Sequence, residues 1–294
     1  MKFGVSIFPT HYSAGPAEVA AEAERLGFES FWVSEHSHIP VDTEFPFADE
    51  VPDDYRSMFD PFVSLGAAAA VTDQLRLGTS ICLVTQHDPI NCAKAVATID
   101  QISAGRFEFG IGAGWNPPEM ENHGVAFANR FKMTRERLEA MKRFWTQDEA
   151  EYHGDLVDIT RSWMWPKPVQ SPYPPVLIAG AGPNILKRVI SQGDGWMPFV
   201  VSSWNQSMHH RMTSLGQFAE QVRELRRMSA ELGLPRKTIS VKGLAAVPSD
   251  IDAMEALEID RMILPLPQAG RDEVFEVLDS HARAVANYAR EGAA

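Results

Sequence analysis

Cysteine is nearly absent from this chain of 294 residues. Only Cys82 and Cys92 occur, and two thiols at that spacing make neither a disulfide framework nor a zinc-binding pattern. The expectation is a pair of buried, reduced thiols in a cytoplasmic protein. Long apolar runs are missing too. The alanine-rich stretch 66–71 is a short helix piece, far below the length that spans a bilayer, and residues 2–8 enter a strand-like run with no signal-peptide pattern. Positive charge is scarce: 27 Lys and Arg face 39 Asp and Glu, for a net charge of -12. That balance argues against nucleic acid or an acidic membrane as partner. An anionic ligand would have to be held by local devices such as helix N-termini. With no low-complexity linker and no clear internal repeat, residues 1–294 read as one domain.

Hydrophobic residues make up 45% of the chain and charged residues 22%, enough apolar side chain for a large core. Eight short β-branched or aromatic runs, at 2–8, 30–34, 75–84, 106–112, 175–179, 195–200, 238–246 and 261–265, alternate with longer helical patterns. Such alternation predicts a parallel sheet. Eight β-α units in this length favour a closed (β/α)₈ TIM barrel, about 250 residues plus insertions, over an open doubly wound sheet. Two long connections, 40–60 and 149–174, are expected to be lids or partner surfaces.

In a barrel the chemistry belongs at the C-terminal strand ends. The run 106–116 enters a turn with glycines at 110, 112 and 114. Its G-x-G-x-G spacing, followed by Trp115, Asn116 and two prolines, does not fit the dinucleotide fingerprint. A second segment, 176–188, has the same character: a strand, then Ala179-Gly180-Ala181-Gly182, with Pro183 placed as the first residue of a helix. Backbone amides there suit a phosphate, with an ordinary turn as the equal alternative; Lys187 and Arg188 read first as solvated helix charges, with an anionic tail as the alternative partner. Glu35 and His36 form an acid–base candidate, since an imidazole exchanges protons near neutral pH and a carboxylate tunes it. His36 and His38 together would suit a metal hydrolase, but no convincing further ligands accompany them. His11 and His87 are pocket or rim residues. His209 and His210 are expected on a solvent-facing helix, and Trp163, Trp165, Trp196 and Trp204 in the core or a lid.

Taken together, these residues resemble the bacterial luciferase-like monooxygenase superfamily, and within it the mycobacterial and actinobacterial coenzyme F420-dependent oxidoreductases. The resemblance rests on Ser34-Glu35-His36, the stretches 77–81, 100–106 and 110–116, Pro166 to Gln170, Ile178 to Pro183, and Gly193 to Trp196, in family order along nearly the whole chain. It implies a deazaflavin or flavin across the barrel mouth, with a non-prolyl cis peptide at Ser80–Ile81 pressed behind the ring. It implies cofactor contacts from Thr79, Ser80, Ile81, Gly112, Ala113, Gly114, Asn116, Ala179, Gly180, Ala181 and Gly182. His36, oriented or tuned by Glu35, would be catalytic, and His11, His87, Trp115 and Phe199 would shape the substrate space. Relatives are commonly homodimers.

The expected function is hydride transfer between F420 and a small or medium organic substrate. Three other readings compete: an FMN-dependent monooxygenase fed by a partner reductase, a non-catalytic flavin-binding barrel, and the metal hydrolase. The acid-His pair occurs in both the F420 and the flavin branches, while Trp115-Asn116 and the Ala179 to Pro183 loop look more like the F420 branch.

Overall fold

Buried on both faces, the short apolar runs of this sequence close into a ring of eight parallel strands. In the computed structural model, which describes residues 1–46, 48–201 and 213–289, these are β1 (Lys2–Ile7), β2 (Ser30–Val33), β3 (Arg76–Thr79), β4 (Phe107–Gly112), β5 (Val176–Ala179), β6 (Gly195–Met197), β7 (Thr238–Lys242) and β8 (Arg261–Pro265). Each pairs in parallel with the next, and β8 returns to β1, with Lys2 opposite Arg261. Strands covered on both faces need near-continuous apolar sequence, which is why they read as runs and not as alternations.

Eight helices sheathe the ring: α1 (Pro16–Arg25), α2 (Pro61–Ala69), α3 (Pro89–Ile102), α4 (Arg130–Thr146), α5 (Ile185–Gln192), α6 (Leu215–Glu231), α7 (Pro248–Ala256) and α8 (Arg271–Ala289). Four of them open on a proline, whose fixed φ and missing N–H suit the first helical position. Asp60 and Asp88 cap α2 and α3 by accepting from Val63 N and from Ile90 N and Asn91 N, filling donors that a helix start leaves orphaned. No helix among the described residues is long and apolar enough to cross a membrane.

Three sequence expectations change. The run 75–84 is not one strand: it breaks at Ser80–Ile81, whose peptide bond is cis, and resumes as Cys82–Leu83 paired to Ile111 and Gly112. The helix after β5 begins at Ile185 with Asn184 at its N-cap, so Pro183 precedes it instead of opening it. Most consequentially, 149–174 is not a mouth loop. It connects a helix to a strand, and such connections lie at the N-terminal end of a barrel. Glu149–His153 and Asp158–Trp163 form an antiparallel hairpin held to α4 through Arg143 Nη1 to Glu151 O and Tyr152 Oη to Glu139 Oε2. The residues that follow cross the closed end, where Gln170 Nε2 donates to Phe107 O at 2.7 Å and to Asp100 Oδ1 at 2.7 Å. Trp163 and Trp165 are exposed there, whereas Trp196 is fully buried. Trp204, His209 and His210 lie outside the described residues.

The inside of the ring is filled in layers. At the closed end Arg261, only 4% exposed, reaches Glu29 at 2.7 Å and Glu108 at 2.8 Å, and Arg76 joins it on Glu108. Burial works against the Glu108 charge, but Arg261 and Arg76 outweigh it and hold its carboxyl below the usual range. Above this sits an apolar layer of Trp32, Leu177, Met197 and Ile263, with Ile81 and Ala179 against it.

Removing one partner of a buried ion pair leaves the other uncompensated, at a cost of about 3–5 kcal/mol. Glu108→Ala is therefore expected to lower unfolding free energy by about that amount. Lys132→Ala, which breaks the exposed pair with Asp155, should leave stability nearly unchanged. Urea unfolding of both variants measures the contrast.

Candidate active site at the barrel mouth

β2 ends by placing Ser34, Glu35 and His36 at the mouth, all three buried. Neighbouring residues on an extended segment point in opposite directions, and the two functional side chains part company accordingly. The Glu35 carboxylate turns toward the interrupted third strand. It accepts from Leu83 N at 2.5 Å and meets His87 Nε2 at 2.6 Å. Burial alone would discharge His87, but the hydrogen bond and charge of Glu35 win and push its pKa up to about 9.

His36 faces the other way, and its acid is not Glu35. Its Nδ1 lies 2.9 and 3.0 Å from the two oxygens of Glu119, a residue 1% exposed. Trp115 Nε1 donates to His36 Nε2 at 3.3 Å. The two contacts fix the tautomer: Nδ1–H donates to Glu119, leaving the Nε2 lone pair as the acceptor. The expectation that Glu35 orients His36 is thus corrected, because Glu35 is spent on Leu83 and His87. Glu119 sits in the short helix Pro117–Asn122. The double proline that opens this helix was the available signal that the next residue returns to the rim.

Connection 40–60 follows a strand and so belongs to the mouth. Thr43 accepts from Asn116 Nδ2 at 3.2 Å. Tyr55 lies 5.1 Å from the His36 ring, and Phe45 lies 5.6 Å from that of Trp115. Together these rings make an aromatic wall over the imidazole.

Beyond His36 the mouth is built from backbone. Ser80 N donates to Val33 O at 2.6 Å, and Ser34 Oγ donates to Ser80 O at 2.8 Å. Ile81 then projects at Gly112, where any Cβ would sit 2.0 Å from Ile81 Cδ1 and push the tip of that side chain aside. Gly180, at φ +122°, shapes the loop after β5, and Trp196 Nε1 holds its carbonyl at 3.1 Å. A cleft between these loops is lined by Gly112, Ala113, Phe131, Thr134, Ala179 and Arg188. Arg188 lies 3.6 Å over the Phe131 ring and Arg130 4.3 Å over it. Burial, then the Arg130 charge, lowers the Arg188 pKa. Among the described residues neither guanidinium is in an ion pair with a carboxylate.

The remaining predicted residues divide. Thr79 is fully buried with its hydroxyl on Gly110 O at 2.7 Å, a brace behind the site. Ala113 O accepts from Thr85 Oγ1 and Gly114 turns at φ +77°, while Ala181 and Gly182 continue the β5 loop, Gly182 at φ +95°. Phe199 lies beside Gly243 at the end of β7. His11 is exposed, its ring 5.1 Å from Tyr12. His38 contacts Ser37 Oγ and Asn122 Nδ2, each at 2.9 Å, and shares no ligand set with His36. The one metal-like grouping among the described residues is Glu35, Cys82 and His87. Its closeness follows from the Glu35–His87 bond, and burial pushes the Cys82 thiol up. Two residues missed in the sequence, Arg130 and Lys242, also reach the mouth.

A family model described as luciferase-like monooxygenase matches residues 1–292. An uncharacterized protein of Mycobacterium tuberculosis is 46% identical over 203 residues, 67% of this chain and 72% of its own. An F420-dependent glucose-6-phosphate dehydrogenase of Kineococcus radiotolerans is 27% identical over 273 residues, covering 90% of this chain and 73% of its own. Among solved structures, monooxygenase RslO1 from Streptomyces bottropensis superposes with a TM-score of 0.78 at 21% identity, covering 98% of this chain and 99% of its own. An F420-dependent secondary alcohol dehydrogenase does so with a TM-score of 0.72 at 18% identity, covering 97% and 99%. At such identities the two structures speak for the fold.

The raised pKa of His87 has a consequence for stability. A histidine whose folded pKa lies above its unfolded value of about 6.5 contributes stability that is full below that value and lost as pH rises through the folded pKa. Unfolding free energy is expected to fall by on the order of 2 kcal/mol between pH 6.5 and 9.5. His87→Asn should flatten this part of the profile, as read by urea unfolding across the range.

Proposed function

Because the chain belongs to the luciferase-like monooxygenase family, we propose that it is an oxidoreductase that moves a hydride between coenzyme F420 and a small or medium organic substrate. The observation that carries this reading is the buried His36, fixed at Nδ1 by Glu119 and presenting Nε2 to the mouth beside Trp115. The cleft suits the cofactor. Gly112, Ala113 and Ala179 line it with little side-chain bulk, and Ile81 supplies an apolar bump beside Gly112. Arg130 and Arg188, with no carboxylate among the described residues, suit the phosphate and carboxylates of the F420 tail.

When bound, F420 supplies the carbon that exchanges the hydride; the side chains manage the proton. His36 Nε2 accepts the proton of a substrate hydroxyl as its carbon is oxidised, or returns it in reduction. Glu119 stabilises the imidazolium through Nδ1, as a carboxylate orients a catalytic histidine elsewhere. Trp115 moves its N–H off Nε2 for the substrate to approach. Tyr55 and Phe45 close over the pair and limit water. Glu35 works at one remove, as a positioning residue for the segment that carries Ile81.

Fluorescence titration of the apoprotein with F420 and FMN tests the cofactor. Tighter binding of F420 is expected, and preferential tight FMN binding would overturn the assignment in favour of the monooxygenase reading. His36→Ala and Glu119→Gln should each lower turnover with F420 by about 10²–10⁴-fold while leaving its affinity within a few-fold. Unchanged turnover in His36→Ala removes the proton-transfer role, and tight binding without turnover on a broad alcohol and carbonyl panel would favour a non-catalytic barrel.

A further inference from the structure

The two ends of the barrel treat their inward-pointing cations differently. At the closed end Arg261 is flanked by two carboxylates. At the open end Lys242, the last residue of β7, has none among the described residues. β3 and β7 lie on opposite sides of the eight-strand ring, so the lysine stem crosses the interior to reach the far wall. Its Nζ donates to Ser80 O at 3.0 Å and also to Ser80 Oγ. Both partners are neutral oxygens, and an ammonium has three N–H groups. One donor and the whole formal charge are therefore left for another group. Beneath lies the apolar layer of Trp32, Leu177, Met197 and Ile263, which supplies nothing polar.

In a chain of net charge -12, acidic residues are plentiful, yet among the described residues none pairs with the half-buried Lys242. Burial pushes the Lys242 ammonium down to about 8. A partly desolvated cation without a counter-ion costs free energy unless a ligand provides one. We propose, on the same reading of the mouth as a substrate site, that Lys242 is its specificity-determining cation and that the substrate carries a carboxylate which Lys242 receives. A monoanion matches this floor because, among the described residues, no other cation joins Lys242 on Ser80. Arg130 and Arg188, which would suit a more highly charged group, flank Phe131 at the cleft beside β4 and β5. Phe199, against Gly243, and the aromatic wall of Tyr55 and Trp115 leave the rest of the substrate an apolar setting.

Isothermal titration of the cofactor-free full chain with benzoate, benzyl alcohol and inorganic phosphate tests this independently of cofactor identity. Benzoate is expected to bind at least about tenfold tighter than benzyl alcohol at pH 7, and the preference should fade as pH rises past about 8. Lys242→Met should abolish the preference and Lys242→Arg retain it, with circular dichroism confirming the fold of each. The pH dependence in the unmodified chain decides the matter where a variant does not fold. Equal binding of benzoate and benzyl alcohol, a preference that survives in folded Lys242→Met, or phosphate binding tighter than benzoate that Lys242→Met weakens would overturn the proposal. If F420 fails to bind while benzoate selectivity holds, the cofactor assignment falls and this one stands.

Discussion

The Glu35 carboxylate holds the mouth together. One oxygen takes the Leu83 N–H and the other the His87 ring, so the end of β2 is tied to the third strand at the point where that strand resumes after its interruption. A buried carboxylate is tolerable only when hydrogen-bonded and matched in charge, and these two contacts meet both conditions. The segment so fixed carries Ser80 and Ile81. Ser80 receives Ser34 and Lys242, and Ile81 fills the space left at Gly112. Loosening one carboxylate would therefore disturb the walls on three sides of the site.

A second acid–histidine pair stands beside the first with its connectivity exchanged. Glu35 precedes His36 in the chain but holds His87; His36 is held by Glu119, which comes 83 positions later. Under the proposed function, the arrangement separates structural from chemical duty. Glu35–His87 locks the backbone frame, and Glu119–His36 leaves one ring nitrogen directed at the mouth. The two carboxylate–histidine pairings at the mouth thus differ in their further contacts: Glu35 also takes the Leu83 N–H, whereas the second nitrogen of His36 takes the Trp115 N–H.

Much of the barrel was legible because its signals are periodic and local: apolar runs for strands, Pro and Asp for helix starts. His36 and the glycines of the β4 and β5 loops were legible for the same reason, being at the ends of recognisable strands. The partnership of Glu119 with His36 was not, since it depends on the rotation of two side chains across the mouth. Lys242 was hidden in the middle of the strand-like run 238–246; its direction inward is a property of the closed ring. The misplacement of 149–174 had a different origin. Length suggested a lid, but its position after a helix was the better guide, and the motifs around it proved to be scaffold. Arg106 donates to Leu75 O and Thr72 O at the end of α2, and Asp100 binds Gln170.

That placement also gives the molecule a practical polarity. The exposed indoles of Trp163 and Trp165 and the hairpin that leads to them are joined to α3 and α4 and to the closed end, with the full height of the barrel between that end and His36. Attachment chemistry, a fused reporter or a support surface directed to the exposed Trp163 would grip the protein by its base and leave the opening presented outward. The fold supplies a handle and a working face on opposite poles.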